Sequence, residues 1–114
     1  MAIQLIEWWS NIMSGQYHIL YWRDIPSMLK GKVGRKRVSQ PLDNRFMEAI
    51  DAAAMRTGDT NSEEYLEDWR SSDSLAIESD DASAYLAKLA AKIEADYPRE
   101  RLLALIKSGG REMS

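Results

Sequence analysis

The chain of 114 residues has no cysteine and a single histidine, His18. Without cysteine there is no disulfide, no thiolate zinc site and no cysteine nucleophile, so hydrophobic packing is left as the main source of stability. A lone histidine lacks the orienting or co-ligating partner that a general base or a metal ligand needs, and we expect His18 to be a packed or edge-facing residue. The sequence therefore predicts no catalytic residue, no metal site and no cofactor.

Long apolar runs are also missing. No run approaches the roughly 18 residues that span a bilayer, and the N-terminus lacks a basic leader with a small-residue cleavage site, so we expect a cytoplasmic location and no transmembrane segment. Apolar residues make up 45% of the chain and charged residues 29%, which is typical of a globular protein with room for one domain.

The net charge of −3 is divided unevenly along the chain. Residues 23–45 carry a local charge of +5, and the remainder carries −8. Within the basic stretch, Lys30, Lys32, Arg35, Lys36 and Arg37 form a cluster around a connection with its tip at residues 34–37. Such a cluster can bind phosphate, nucleic acid or an acidic protein surface, although a solvated loop is the more frequent explanation. The acidic overall balance disfavours nucleic acid.

One strand is predicted at residues 17–22, where aromatic and branched residues form a short run. Alternation places Tyr17, Ile19 and Tyr21 on one side and His18, Leu20 and Trp22 on the other, which indicates a central strand covered on both faces. We expect Pro26 to end this strand, because proline cannot donate to a ladder. Residues 27–33 are a weaker candidate for a second strand.

Helices are predicted near residues 41–57, 80–97 and 98–107 from the spacing of apolar residues, with Pro98 separating the last two. The first has an apolar stripe of Leu42, Phe46, Ile50 and Ala53 or Ala54, and Gly58 closes it. Residues 63–70 leave helix and strand open: two capping signals favour a helix through Trp69, yet Tyr65, Glu67 and Trp69 also alternate. Residues 71–73 and 78–81 are interpreted as polar linkers around Leu75, Ala76 and Ile77. The fold class is thus α+β, a short sheet begun by residues 17–22 and packed against three or four helices.

The first fifteen residues contain two tryptophans and leave three interpretations open. They form a short helix packed on the domain, a segment that binds a partner or a membrane surface, or an upstream artefact of translation, since Met13 could itself be a start. We treat residues 1–15 as an N-terminal extension and residues 16–110 as the domain.

Two small groups of side chains are candidate binding sites. Arg23 and Asp24 follow the predicted strand directly, where side chains are held rigidly toward a ligand or partner; the alternative is an ion pair that only anchors the turn. Tyr21, Trp22 and Trp69 could form an aromatic surface, although aromatic residues at this spacing are more often core.

Two stretches carry a resemblance to a known family: residues 19–26, Ile-Leu-Tyr-Trp-Arg-Asp-Ile-Pro, and residues 45–55, Arg-Phe-x-x-Ala-Ile-Asp-x-Ala-Ala-Met, followed by Tyr-Leu-x-x-Trp-Arg at 65–70. The end of the chain, from Arg101 to Gly110, resembles the end of short family members. The chain is similar to the small bacterial domain labelled "virulence factor". That label names no chemistry and transfers no catalytic residue.

The resemblance implies a partner class. Stand-alone relatives accompany one-carbon enzymes such as methylenetetrahydrofolate reductases and corrinoid methyltransferases, so the hypothesis is a non-enzymatic accessory domain that docks on a larger enzyme of that kind. The alternative is an anion or nucleic-acid binding module that uses residues 30–37, with Lys32, Arg35, Lys36 and Arg37 as contacts. An enzymatic alternative would combine Arg23 and Asp24 with His18.

Overall fold

A computed structural model describes residues 15–58 and 63–112 of the chain. The described strands are β1 (Gly15–Trp22), β2 (Ile25–Val33), β3 (Lys36–Pro41), β4 (Trp69–Ser71) and β5 (Leu75–Ile77). The described helices are α1 (Asn44–Thr57), α2 (Glu63–Glu67), α3 (Ala82–Asp96) and α4 (Arg99–Lys107). This is the predicted α+β fold, and the strand expected at residues 17–22 begins the sheet. The predicted N-terminal extension lies outside the described residues, except that Gly15 opens β1.

The strands form one antiparallel sheet in the order β3-β2-β1-β4, and β5 pairs with the start of β1 beside β4. β1 is therefore the central strand, as predicted. β1 turns into β2 through only two residues, Arg23 and Asp24, and Arg23 adopts a φ of 52°. A two-residue hairpin that follows the sheet twist requires a positive φ at its first central residue, so the turn places an arginine in a conformation that usually favours glycine.

Pro26 does not end the strand at residues 17–22, contrary to the sequence prediction. β1 ends at the two-residue turn, and Pro26 lies inside β2, opposite Tyr21. The register of the β1–β2 ladder shifts next to this position, between Leu20 and Tyr21. Proline is tolerated in a sheet where the ladder is interrupted, because no N–H is needed there.

The basic connection predicted around residues 34–37 is a β-hairpin. Only Gly34 and Arg35 form the turn between β2 and β3, and Gly34 supplies the positive φ of 61°. Lys36 and Arg37 are already part of β3, paired with Val33 and Lys32. The sequence prediction missed this third strand because residues 36–41 are mostly polar.

The core forms where α1 and α3 pack on the sheet. α1 begins after the N-cap Asp43, ends at Gly58 with a φ of 77°, and buries Phe46, Ile50, Ala53 and Ala54 of the predicted stripe. Leu42, the first residue of that stripe, is buried just before the helix. The helix predicted at 41–57 is confirmed apart from its start, since residue 41 completes β3. The helices predicted at 80–97 and 98–107 correspond to α3 and α4.

Residues 63–71 contain both structures that the sequence left open. α2 covers Glu63–Glu67, and β4 begins at Trp69, so the helix expected to run through Trp69 stops short of it. β5 was not predicted, because three residues between polar segments carry too little periodicity. Both short strands are decided by their pairing with β1.

Helices cover one face of the sheet. The opposite face is covered along only part of its length. On the helical side the rings of Tyr17 and Tyr85 pack edge to face with centroids 6.1 Å apart, and α3 brings Leu86 so close to Gly31 that a Cβ there would lie 3.2 Å from it. On the opposite side Gln16 is exposed and His18 half-buried. Cover on both faces was therefore a wrong prediction for the first half of β1.

Candidate functional site

The turn between β1 and β2 is tied to distant parts of the chain through Arg23. This side chain is only 8% exposed. Its Nε donates to Asp68 Oδ2 at 2.8 Å, its Nη1 donates to the carbonyl oxygen of Gly109 at 2.7 Å, and its guanidinium lies 4.4 Å from the ring centroid of Trp22. The arginine thus joins the turn to the segment before β4 and to the end of α4.

Asp24 makes a second set of links at the same place. Its carboxylate accepts from Arg70 at 3.3 Å and from the backbone N–H of Glu112 at 2.6 Å, while its own N–H donates to the Gly110 carbonyl at 2.8 Å. Arg70 also donates to the Arg23 carbonyl at 3.1 Å. We refer to residues 22–24, 68–70 and 109–112 as the Arg23 corner.

The Arg23 corner is where two of the motifs behind the family resemblance meet. Arg23 pairs with Asp68, and Asp24 pairs with Arg70, so the Arg-Asp dipeptide of the first motif is matched crosswise by the residues around Trp69. Trp22 and Trp69 face each other across β1 and β4. These contacts agree with the alternative in which Arg23 and Asp24 anchor the turn. The two residues do so through Asp68 and Arg70 and not by pairing with each other.

The predicted aromatic surface does not exist as one surface. Trp22 is fully buried and its Nε1 donates to the Tyr65 carbonyl at 2.9 Å, so it cannot contact a ligand. Tyr21 is half-buried beneath the guanidinium of Arg70, which lies 4.5 Å from its ring centroid. Trp69 packs edge to face on Tyr65. These rings belong to the packing of the corner.

A different feature lies on the face of the sheet opposite α3. Cross-strand pairing aligns two rows of side chains over β1, β2 and β3: His18, Lys30 and Ser39 in one row, and Gln16, Lys32 and Arg37 in the next. Neighbouring strands are about 5 Å apart, and alternate residues of one strand about 7 Å apart. We call these six residues the basic face.

The cations of the basic face have no carboxylate partner in the described part of the chain. The ion pairs among the described residues are made by other cations, namely Arg23, Arg45, Arg70, Arg101 and Arg111. Lys32 and Arg37 lie directly opposite each other, and like charges in that position destabilise a sheet. The basic face thus keeps an unfavourable concentration of positive charge that no carboxylate among the described residues neutralises.

The basic face is concave. All six of its residues line a pocket of about 540 Å³, together with Ser74 and parts of Tyr17, Gly31 and Val38. None of these lining residues is acidic. The pocket therefore offers cations, amide and hydroxyl groups on a rigid sheet, which is the composition of a site for anionic groups.

The structure separates the predicted basic contacts. Lys32 and Arg37 belong to the basic face, Arg35 is exposed in the turn, and Lys36 lies along a second groove beside α3. The sequence did not single out Gln16, Ser39 or Ser74, and it predicted His18 as a packed or edge-facing residue. The sequence did contain a signal for the basic face, because Lys30 and Lys32, and likewise Arg37 and Ser39, are two residues apart and lie on one side of a strand. This signal could be used only if β3 was predicted as a strand.

Two tyrosines have perturbed titration. Burial raises the pKa of Tyr17, and the neighbouring Tyr85 and Glu78 add to the effect. Burial also raises the pKa of Tyr97, partly opposed by the Arg101 guanidinium, which lies 4.0 Å from its ring centroid. Both hydroxyls are stabilised in the neutral form, as packed tyrosines are.

Within residues 15–58 and 63–112, no group of three or more histidine, aspartate or glutamate side chains is placed to hold a metal ion. None of the helices in those ranges is long and apolar enough to cross a membrane. The three residues of the enzymatic alternative also do not converge, because His18 precedes Arg23 by five residues of extended strand, or about 17 Å.

An antiparallel sheet with helices on one side and a cationic opposite face defines a small α+β domain. A family model described as "Virulence factor" matches residues 20–106, and the chain belongs to that family. No curated protein and no solved structure matches the chain. The match includes residues 22–24 and 68–70 of the Arg23 corner but not residues 109–112, and it includes four of the six residues of the basic face.

Proposed function

We propose that this protein is a non-enzymatic accessory domain that docks on an acidic surface of a larger protein through its basic face. The observation that carries the proposal is the alignment of Lys30, Lys32 and Arg37 on one side of three strands, with no acidic residue lining their pocket. Electrostatic complementarity of this kind steers association and fixes the orientation of partners.

The energetics of the sheet support a role in binding. Lys32 opposite Arg37 costs stability in the isolated domain, and an acidic partner removes that cost by supplying the missing countercharges. Arg45 shows the contrast within the same fold, since its guanidinium binds the carbonyl oxygens of Glu94 and Tyr97 and is used internally. Charges that the fold uses internally are satisfied, and those of the basic face are available.

An anion or nucleic-acid binding module is the second candidate, and the same cations support it. The pocket lining argues against single-stranded nucleic acid, because it holds no tryptophan or phenylalanine, and its one tyrosine, Tyr17, is buried against Tyr85. A labelled oligonucleotide titrated at low salt separates the two candidates, since nucleic-acid binding would be tight there and would fall steeply with salt.

The experiment that tests docking compares two matched charge reversals. Lys30→Glu/Lys32→Glu inverts the basic face, whereas Lys88→Glu/Lys92→Glu makes the same change of charge at exposed positions of α3. Tagged full-length versions are used to capture partners from the native cells, and the captured protein is then purified and titrated against each variant. We expect the first variant to lose the partner and the second to retain it.

Two results would contradict the proposal. One is a chain that stays a solitary monomer in native cells, with no protein partner. The other is a purified partner that binds Lys30→Glu/Lys32→Glu as tightly as the unmodified chain, because docking would then use another surface.

The identity of the partner is a separate matter. A one-carbon enzyme of the methylenetetrahydrofolate reductase or corrinoid methyltransferase kind stays a prediction that rests on the family resemblance. Mass spectrometry of the captured protein checks this identity. A cytoplasmic location also stays a prediction, and it rests on the sequence alone.

A further inference from the structure

β3 is the last strand of the sheet on its side. Its backbone pairs with β2 along Lys36–Pro41, and in the described part of the chain no second strand pairs with its outer edge. An edge of this kind presents N–H and C=O groups that an extended peptide can use to add a further strand.

The two sides of β3 have different chemistry. Arg37 and Ser39 point to the basic face, whereas Lys36 and Val38 border a groove of about 390 Å³ between the strand and the start of α3. Apolar atoms of the groove come from Val33, Val38 and Ala82, and its far wall carries Asp80 and Asp81. One side of the edge therefore favours acids. The other side favours small apolar groups and is less favourable for acids, because two carboxylates outnumber the one cation, Lys36.

We infer that the docking segment of the partner is an extended strand that pairs with the outer edge of β3 and alternates acidic with apolar residues. Its acidic side chains lie beside Arg37 on the basic face, and its apolar side chains lie in the groove beside Val38. This inference rests on the proposed function, because it assigns the segment of the acidic partner that contacts the basic face.

The alternation also fixes the register of the added strand. A shift by one residue moves every side chain of a strand to the other side. Such a shift would place the partner's acids against Asp80 and Asp81 and its apolar groups against Arg37. A shift by two residues restores the match, so the edge selects a pattern rather than one particular sequence.

Charged residues on edge strands also have a purely protective role, because they hinder pairing with other chains. Under that explanation Lys36 and Arg37 would repel added strands, whether these carry alternating or clustered charges. Peptides that differ only in their pattern distinguish recognition from protection.

The probes are labelled peptides of about eight residues, enough to cover the six residues of β3. One alternates glutamate and valine, and its isomer has the same residues in two blocks. Binding to the full chain is measured by fluorescence anisotropy. We expect the alternating peptide to bind at least about tenfold more tightly than the block isomer, and to protect β3 amides from hydrogen exchange.

Backbone methylation tests strand addition directly. In a strand, alternate amides point toward the neighbouring strand and away from it. Methylating one alternate set of peptide amides should abolish binding, and methylating the other set should leave it within about twofold. Equal binding of the two methylated peptides, or of the block isomer and the alternating peptide, would overturn the inference.

The outcome separates this inference from the proposed function. If the native partner is lost with Lys30→Glu/Lys32→Glu but the peptide pattern makes no difference, docking on the basic face stands and strand addition is wrong. If the partner ignores that variant, the proposed function fails instead. Absence of binding by every peptide, with β3 amides unprotected by the native partner, supports protection of the edge and overturns strand addition.

Discussion

The Arg23 corner lies at the turn between β1 and β2 and the basic face lies along these two strands and β3, but the two regions use positive charge in opposite ways. In the corner, Arg23 is buried and bonded to Asp68 and Gly109, and Arg70 is bonded to Asp24. On the basic face, Lys32 lies opposite Arg37 and the pocket has no acidic lining residue. Charge that is satisfied internally maintains a turn, whereas charge left unsatisfied is available to a partner.

Residues that make the family recognisable lie in the Arg23 corner, and none of them lies on the basic face. The Trp-Arg-Asp and Trp-Arg stretches that make the family recognisable make their contacts within the corner. Four of the six residues of the basic face lie between the quoted motifs, at positions 30–39, and Gln16 and His18 precede the first motif. A motif that is easy to recognise is therefore not evidence of a ligand site in this protein, and the two regions should respond differently to substitution.

The largest effect is expected where the end of the chain packs on the corner. Gly110 has a φ of 91°, and a Cβ there would lie 2.8 Å from Cζ3 of Trp22. Steric overlap and the unfavourable φ should together make Gly110→Ala lower the free energy of unfolding by about 3 kcal/mol. Urea denaturation measures the loss.

Gly34→Ala is the matched control for that prediction. Gly34 also has a positive φ, 61°, but a Cβ there would meet no atom within 4 Å. Only the backbone penalty of about 1 kcal/mol is expected. Similar losses for the two variants would show that close packing on Trp22 is not what requires a glycine at the corner.

Replacing Arg23 should cause the second largest loss in the free energy of unfolding. Arg23→Met removes the hydrogen bonds to Asp68 and Gly109 while keeping a long apolar stem over Trp22. Hydrogen bonds of a charged group contribute roughly 1.5–3 kcal/mol, so we expect a loss of about 2 kcal/mol in urea denaturation. Arg37→Met on the basic face should stay within about 0.5 kcal/mol of the unmodified chain, and an equal loss there would erase the contrast between the regions.

Charge reversal on the basic face should act in the other direction. Lys32→Glu places a carboxylate opposite Arg37 and replaces a repulsive pair by an attractive one. Such cross-strand pairs contribute about 0.2–1 kcal/mol, so the variant should be slightly more stable and the gain should shrink in high salt. Thermal unfolding at two salt concentrations checks this. A destabilised variant would mean that Lys32 has a structural role in the sheet.

The smallest effect concerns alkaline pH. The raised pKa values of Tyr17 and Tyr97 mean that the folded state holds both protons more tightly than the unfolded state. Their contribution to stability is present below about pH 10, the ordinary tyrosine value, and is lost as the pH rises through the folded-state pKa values. Tyr17→Phe should flatten the fall of melting temperature above about pH 10. An unchanged slope would exclude a contribution of Tyr17 to this fall.

The sequence by itself determined the elements whose residues carry a strong local signal. The apolar run at 17–22 predicted β1, and the stripe of Phe46 and Ile50 with Gly58 at its end predicted α1. Pro98 separated α3 from α4. Hydrophobic periodicity and backbone breakers act over a few residues, so they can be interpreted without knowing the fold.

Only the tertiary structure decided β3, β4 and β5, because short or polar strands exist through their pairing with a neighbour. The same holds for both charged regions. Arg23 meets Gly109 across 86 residues of sequence, and Lys32 meets Arg37 only once β3 is paired. The sequence determined that positive charge is concentrated in residues 23–45, and folding divided it into an internal anchor and an open basic face, since long-range pairing sets which countercharges each cation can reach.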